Sequence, residues 1–304
     1  MEENNLKKRE KKSMKHFIIV ASIFFVLLFL AVMFDVRLKT VIYTIDSDKV
    51  HKPILIGLIT DLHSCEYGVK QKILVNEINR NKPDVILLGG DIFDDKIGDD
   101  HTIELLDEIT KNYPCYYVTG NHEFWSGRID RILQILESYQ VKVLRGVTDV
   151  IEVRGEKISI SGIDDPEYLD YQENESGQEN ENDQDNESDQ DNESEQDTQL
   201  QKISKELDNQ NFTILLAHRP SYVKTYMEYG FDLVLSGHAH GGQWRFPGVQ
   251  NGLFAPDEEW FPTYSGGEYD FHGGKMIVSR GLARESTRIP RIFNRPELVF
   301  IKIQ

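Results

Sequence analysis

The sequence predicts an α/β fold whose strands are covered on both faces, preceded by one membrane-spanning helix. Three observations predict it. Apolar runs of strand length alternate with segments of helical period along most of the 304 residues. Several runs are apolar at nearly every position, as strands buried beneath helices on both sides are. One stretch near the N-terminus is apolar over the thickness of a bilayer.

That stretch, Phe17 to Phe34 (FIIVASIFFVLLFLAVMF), has no charge in 18 residues. At 1.5 Å per residue it spans ~27 Å as a helix, close to the hydrocarbon core. Six basic residues precede it (Lys7, Lys8, Arg9, Lys11, Lys12, Lys15), whereas only Arg37 and Lys39 follow closely. The positive-inside rule makes residues 1–16 a cytoplasmic basic tail and residues 17–34 a single pass of the cell membrane, with everything beyond extracytoplasmic. A cleaved signal peptide is the competing reading. The run is longer than a usual h-region and no small-x-small site follows, so an uncleaved signal anchor is expected. Residues 35–52 read as a polar connector.

The folded domain is expected over residues 53–304. Its strand runs are PILIGLIT (53–60), DVILLGG (84–90), CYYVTG (115–120), FTILLAH (212–218) and DLVLSGH (232–238). Between them Val69–Asn81, His101–Lys111 and Ile129–Tyr139 have helical spacing. Lys157–Gly162, Lys275–Ser279 and Glu297–Ile303 add further strands. Cys65 should lie past the exit of one strand and Cys115 at the entrance of another, too far apart for a disulfide. Two free thiols are expected.

Residues 171–199 break the pattern. They hold twelve acidic residues and no basic one, and so account for most of the net charge of −17. The remainder of the chain is ordinarily charged, which leaves an anionic substrate open. A segment without aromatics or β-branched runs cannot bury enough surface to offset its ordering entropy, so a disordered insertion in a surface loop is expected.

The chemistry lies at the strand ends. PILIGLIT runs into Asp61 and His63, DVILLGG into Asp91 and Asp94, CYYVTG into Asn121, His122 and Glu123, FTILLA into His218, and DLVLSG into His238 and His240. Five apolar runs thus deliver Asp, His or Asn at their carboxyl ends, the edge where α/β sheets form sites. Any one of these is an ordinary turn or helix cap; five at one edge are not. Carboxylate, imidazole and amide oxygen suit Mn²⁺, Fe or Zn²⁺ rather than thiolate-preferring ions. Seven donors are too many for one ion but suffice for two that share a carboxylate, ~3.5–4 Å apart. Such a pair binds phosphate oxygens and lowers the pKa of a bridging water, and a separate imidazole must protonate the leaving alkoxide. On an extended backbone His238 and His240 would point to different places, one to each ion.

The ordered set DLH, GGDIFD, GNHE, LLAH and GHAH resembles the calcineurin-like metallophosphoesterase family, over roughly residues 53–304. HAHGGQ and the segment IPRIFNRPELVFIKI resemble its bacterial membrane-associated and secreted branch in particular. The resemblance implies a four-layer αββα sandwich of two mixed sheets. It implies Asp61, His63 and His240 on one metal, Asn121, His218 and His238 on the other, Asp91 bridging, and His122 as general acid oriented by Asp94. Where the phosphoprotein phosphatases of the wider family carry an Arg after that second Asp, this chain has Asp95, which argues against phosphoprotein substrates.

Arg219, Arg280 and Arg284 are candidate phosphate clamps, and Gly241 and Gly242 are expected to keep the backbone bare beside the phosphate. Residues 241–274 hold eight aromatics, read either as a self-packed loop or as a flap against an apolar leaving group or a membrane. The function expected is a membrane-anchored, two-metal phosphoesterase acting on diesters or on lipid- or envelope-linked phosphates. A phosphomonoesterase or pyrophosphatase of the same fold, or a non-catalytic metal-containing envelope-binding module, are the alternatives. No nucleic-acid partner and no obligate protein partner are expected.

Overall fold

Ile54, Ile56 and Leu58 alternate with Leu55 and Ile59 along one strand, and both sets are apolar because both faces of that strand are covered. The same arithmetic holds for Val85 and Leu87 against Ile86 and Leu88 in the next strand. These faces belong to the computed structural model of the chain, which describes residues 2–168, 171, 188–246, 248, 251–255, 259–284 and 289–304.

The first sheet has six strands: β1 (Lys39–Ile45), β2 (Ile54–Ile59), β3 (Val85–Gly89), β4 (Cys115–Val118), β5 (Lys142–Val143) and β14 (Glu297–Ile303), in the order β1-β14-β2-β3-β4-β5. β2 to β5 are parallel, whereas β14 runs antiparallel to β2 and parallel to β1. The second sheet holds β6 (Val147–Val153), β7 (Glu156–Gly162), β8 (Phe212–Leu216), β9 (Leu233–Ser236), β12 (Gly267–Phe271) and β13 (Gly274–Val278), in the order β12-β13-β9-β8-β7-β6. Its four central strands are parallel and its two edge strands antiparallel. A two-stranded ribbon, β10 (Phe254–Ala255) with β11 (Glu259–Trp260), stands apart.

The sheets face each other across one apolar core that takes residues from both, among them Ile56, Leu87, Val118, Ile160, Ile214 and Leu235. Outside the first sheet pack α2 (Lys72–Asn81), α3 (Asp100–Ile109) and, after the short α4 (Asn121–Trp125), α5 (Ile129–Ser138), through Leu74, Leu106 and Ile132. Outside the second pack α6 (Ser188–Ser204) and α7 (Val223–Glu228), through Leu200, Ile203 and Tyr226. The four layers are those implied by the family resemblance. Cys65 and Cys115 are buried and form no disulfide, as expected.

Two expectations need correction. The stretch 35–52 is not only a connector: β1 lies within it and pairs over seven residues with β14. KTVIYTI lies at the sheet edge and buries only Ile45 fully, a weaker signal than the fully buried runs. The expected disorder over 171–199 also ends too late. Helix α6 begins at Ser188; residues 172–187 lie outside the described residues. Acidic composition is overridden there by docking: Leu200 and Ile203 enter the outer core, and Gln196 and Gln199 are buried and donate to Asp164.

At the N-terminus α1 (Glu2–Met33) continues the basic tail straight into the apolar run, and residues 11–33 are long and apolar enough to cross a membrane. Its end is fastened to the domain. Phe293 N donates to Met33 O at 2.8 Å, and the Phe29 and Phe293 rings meet edge to face at 5.7 Å. Because Lys39 pairs with Glu297 and Val299 with Leu58, the chain arrives from α1 at the carboxyl edge of β2. That is the edge to which the candidate ligands belong.

Candidate metal centre

Each candidate ligand sits in the turn that leaves a buried strand: Asp61 and His63 after β2, Asp91 after β3, Asn121 after β4, His218 after β8, His238 and His240 after β9. All seven are buried. Asp61, His63, Asp91 and His240 offer donor atoms within 4.8 Å of one another, and so do Asp91, His218 and His238. The two groups share Asp91. Of the residues singled out in the sequence, His238 and His240 fall in different groups. The backbone between them is a tight turn rather than extended: His238 and His240 have φ of 64° and 46° around a helical Ala239.

Five of the seven are held in the left-handed region, with φ between 46° and 64° for Asp61, His63, Asp91, His238 and His240. This conformation costs a non-glycine residue roughly 1–2 kcal/mol, and such strain collects where geometry serves function. Several donor atoms are also buried without a hydrogen bond: Asp61 Oδ2, His63 Nε2, Asn121 Oδ1 and His240 Nδ1. A buried polar atom without a partner costs about 1–3 kcal/mol, and a cation is the partner that this donor set fits.

The electrostatics agree. Burial alone would raise the Asp91 carboxyl, but the imidazoles of His218, His122 and His63 outweigh it and hold it well below the carboxylate range. Burial would lower His218; Asp91, 3.1 Å away, instead pushes it up to about 10. His240 is driven well below the usual imidazole value by burial and by the charge of His63. The cluster thus draws positive charge onto its carboxylates, and divalent ions would supply it while leaving every imidazole a neutral donor.

Glu123 braces the centre from behind. Its carboxylate accepts from the backbone N–H of Asp91, Ile92, Phe93 and Gly120, at 2.8–3.1 Å. Burial and the Asp91 charge push it up to about 7. The sequence displayed Glu123 in GNHE but gave it no task, because a carboxylate that clamps backbone has no spacing signature.

The orientation of His122 differs from expectation. Asp94 Oδ1 accepts from the N–H of Lys96 and Ile97, which turns Oδ2 towards His63 Nδ1 at 3.2 Å and leaves it 3.8 Å from His122 Nδ1. Asp95 takes the place assigned to Asp94: its Oδ1 lies 2.8 Å from His122 Nδ1. Asp94 therefore braces His63. The His122 ring, 20% exposed, also lies 4.9 Å from Trp125.

The substrate-side candidates fare differently. Arg219 is engaged by Asp165, with two bonds of 2.9 and 3.0 Å, and by Glu167 at 3.0 Å. Arg284 lies over the Tyr67 ring. Gly241 and Gly242 are buried with positive φ, and a Cβ would meet Asn294 Oδ1 at 2.5 Å or Gly252 Cα at 2.5 Å. Their bareness serves packing of the loop rather than the open approach to a phosphate expected from the sequence. The aromatic segment divides: Tyr264, Tyr269 and Phe271 pack together, whereas Phe246, Trp260 and Phe261 are exposed.

The sequence profile of the calcineurin-like phosphoesterases matches residues 54–242. An uncharacterized metallophosphoesterase of Helicobacter pylori J99 is 32% identical over 239 residues, covering 77% of this chain and 55% of its own. One of Aquifex aeolicus is 26% identical over 271 residues, covering 86% and 90%. The chain spans about half the length of the Helicobacter relatives, 55% and 47%. Among solved structures, a dimetal phosphatase from Danio rerio aligns at TM-score 0.47 and 14% identity over 75% of this chain and 88% of that one. Haemophilus influenzae NAD nucleotidase aligns at TM-score 0.46 and 18% identity over 76% and 51%.

Proposed function

The chain belongs to the calcineurin-like phosphoesterase family, and from that premise we propose a membrane-anchored phosphoesterase that works with two divalent ions on diesters or on lipid- or envelope-linked phosphates. The observation that carries the reading is the pair of buried donor groups sharing Asp91. In this reading Asp61, His63 and His240 would hold one ion, Asn121, His218 and His238 the other, and Asp91 would serve both. Bound there, such ions polarise a phosphoryl group and make water nucleophilic at neutral pH.

The chain's own side chains do the rest. His122 donates from Nδ1 to Asp95, and with the ring carrying a second proton its Nε2–H is the group that protonates the departing alkoxide. The backbone N–H of His122 holds Asp91 Oδ1 at 2.9 Å, which couples the acid to the shared carboxylate. Asp94 fixes the ring of His63, as a ligand histidine requires of its second nitrogen. The substrate class is supported by the arrival of α1 at the ligand edge: a single pass by residues 17–34, with the N-terminus cytoplasmic, keeps that edge near the lipid surface.

The test is a panel of activated mono- and diesters, phospholipids and cell-wall precursors, offered to the full chain with Mn²⁺ or Zn²⁺. Diester or lipid-linked turnover that is abolished by chelation and restored by metal is the expected result. Turnover of monoesters or pyrophosphates alone would move the chain to the alternative specificity. No turnover with full metal content would leave a non-catalytic binding module.

A further inference from the structure

We propose that the cavity at the foot of α1 seats the anionic headgroup of a membrane phospholipid, held there without being cleaved. It rests on the reading that α1 crosses the bilayer. The cavity has a volume of about 820 Å³ and is lined by Arg37, Arg245, Arg280 and Arg295, with Asp35 as the one carboxylate among the described residues of its wall. Pockets of ~300–1,000 Å³ suit small organic ligands, and a guanidinium's fork matches phosphate oxygens.

Its position selects the class of ligand. The apolar run ends at Phe34, so Asp35 and Arg37 fall in the headgroup layer. Val32 of α1 and Phe293 of the domain contribute apolar wall, and Phe246, 54% exposed, stands at the rim. A ligand seated here meets cationic groups and an apolar flank together, which describes a lipid at the depth of its phosphate. The contacts of Phe293 with Met33 and Phe29 fix the cavity to the helix.

The protein answers the charge inside the cavity with two carboxylates for four guanidinium groups: Asp35 takes Arg37 at 2.9 Å and Arg295 at 3.5 Å, and Glu297 faces Arg280. Arg280 Nε and Glu297 Oε2 are 3.5 Å apart, and neither atom makes a hydrogen bond. Arg245 is 7% exposed, and burial, together with the charge of Arg280, lowers it to about 10. Arg245, which donates to Gly241 O, and Arg280 thus line one cavity with like charge, and an anion seated there is favoured by both. Arg295 donates to the carbonyls of Arg37 and Leu38, which braces the segment between α1 and β1 around the opening.

The experiment uses the full chain in nanodiscs of phosphatidylcholine with or without phosphatidylglycerol, followed by detergent exchange and native mass spectrometry of retained lipid. Retention of intact phosphatidylglycerol in preference to phosphatidylcholine is expected. Arg37→Gln, on an 82% exposed side chain paired with Asp35, and Arg280→Gln should each weaken retention about fivefold. Equal retention of both lipids, displacement by inorganic phosphate at equal concentration, or cleavage of the retained lipid would each overturn the proposal. Resistance of the same preparations to alkaline carbonate extraction is measured in parallel. A chain washed out by carbonate contradicts the anchor, whereas an inserted chain without lipid preference contradicts this site alone.

Discussion

The two sheets contribute unequally to the centre. The first provides the carboxylates and His122, and its turns brace one another: Asp61 N–H donates to Gly90 O, His63 N–H to Asp91 O, and Glu123 ties the Asp91 turn to Gly120. The second provides imidazoles that lean on the first, His218 Nδ1 on Gly89 O at 2.8 Å and the His238 N–H on Asp61 Oδ1 at 2.8 Å. One half is self-supporting and the other is templated by it. The centre is therefore a product of the interface between sheets, and a change in the first half should reach further than one in the second.

The sharpest way to break that asymmetry is Asp91→Asn. Removing the shared charge is expected to empty both donor groups and lower turnover by more than about a thousandfold, read by metal content per chain together with diester hydrolysis. His238→Asn in the second half should halve the metal content instead; equal losses from both variants would contradict the templating. Next comes His122→Ala, where a fall in turnover of about 10²–10⁴-fold with metal content unchanged is the mark of a lost proton donor.

The neighbouring aspartates sharpen the comparison within one turn. Asp94→Asn should weaken metal affinity about 10–100-fold through His63. Asp95→Asn should leave metal content intact and shift the pH profile of turnover through His122. An exchange of these phenotypes would restore the expectation from the sequence. The smallest effect concerns the acidic segment: deleting residues 172–187 should preserve turnover and lower Tm by less than about 2 °C. Extending the deletion to residue 199 removes Gln196 and Gln199 from Asp164 and should destabilise by about 1–3 kcal/mol.

The strand ends were legible because buried runs announce their exits, so the sheets and the Asp and His residues that gather at their shared edge could be read from the sequence. What escaped depends on contacts distant in sequence or on a choice between neighbours. Asp94 and Asp95 are chemically alike, and only the turn bonds from Lys96 and Ile97 decide which of them faces His122. β1 buries only Ile45 fully, and its identity as a strand comes from β14, which pairs Lys39 with Glu297. Helix α6 is called into order by Asp164 and the outer core rather than by its own composition.

The β1–β14 ladder also gives the molecule a mechanical character. Tension applied through α1 reaches the first sheet at Lys39 and runs along β1, parallel to its neighbour through seven paired residues. Such a pull loads the ladder in shear, all its bonds together rather than one after another from an end. Such a load is borne by the strap between helix and sheet, and the turns that leave β2 stay out of the line of force.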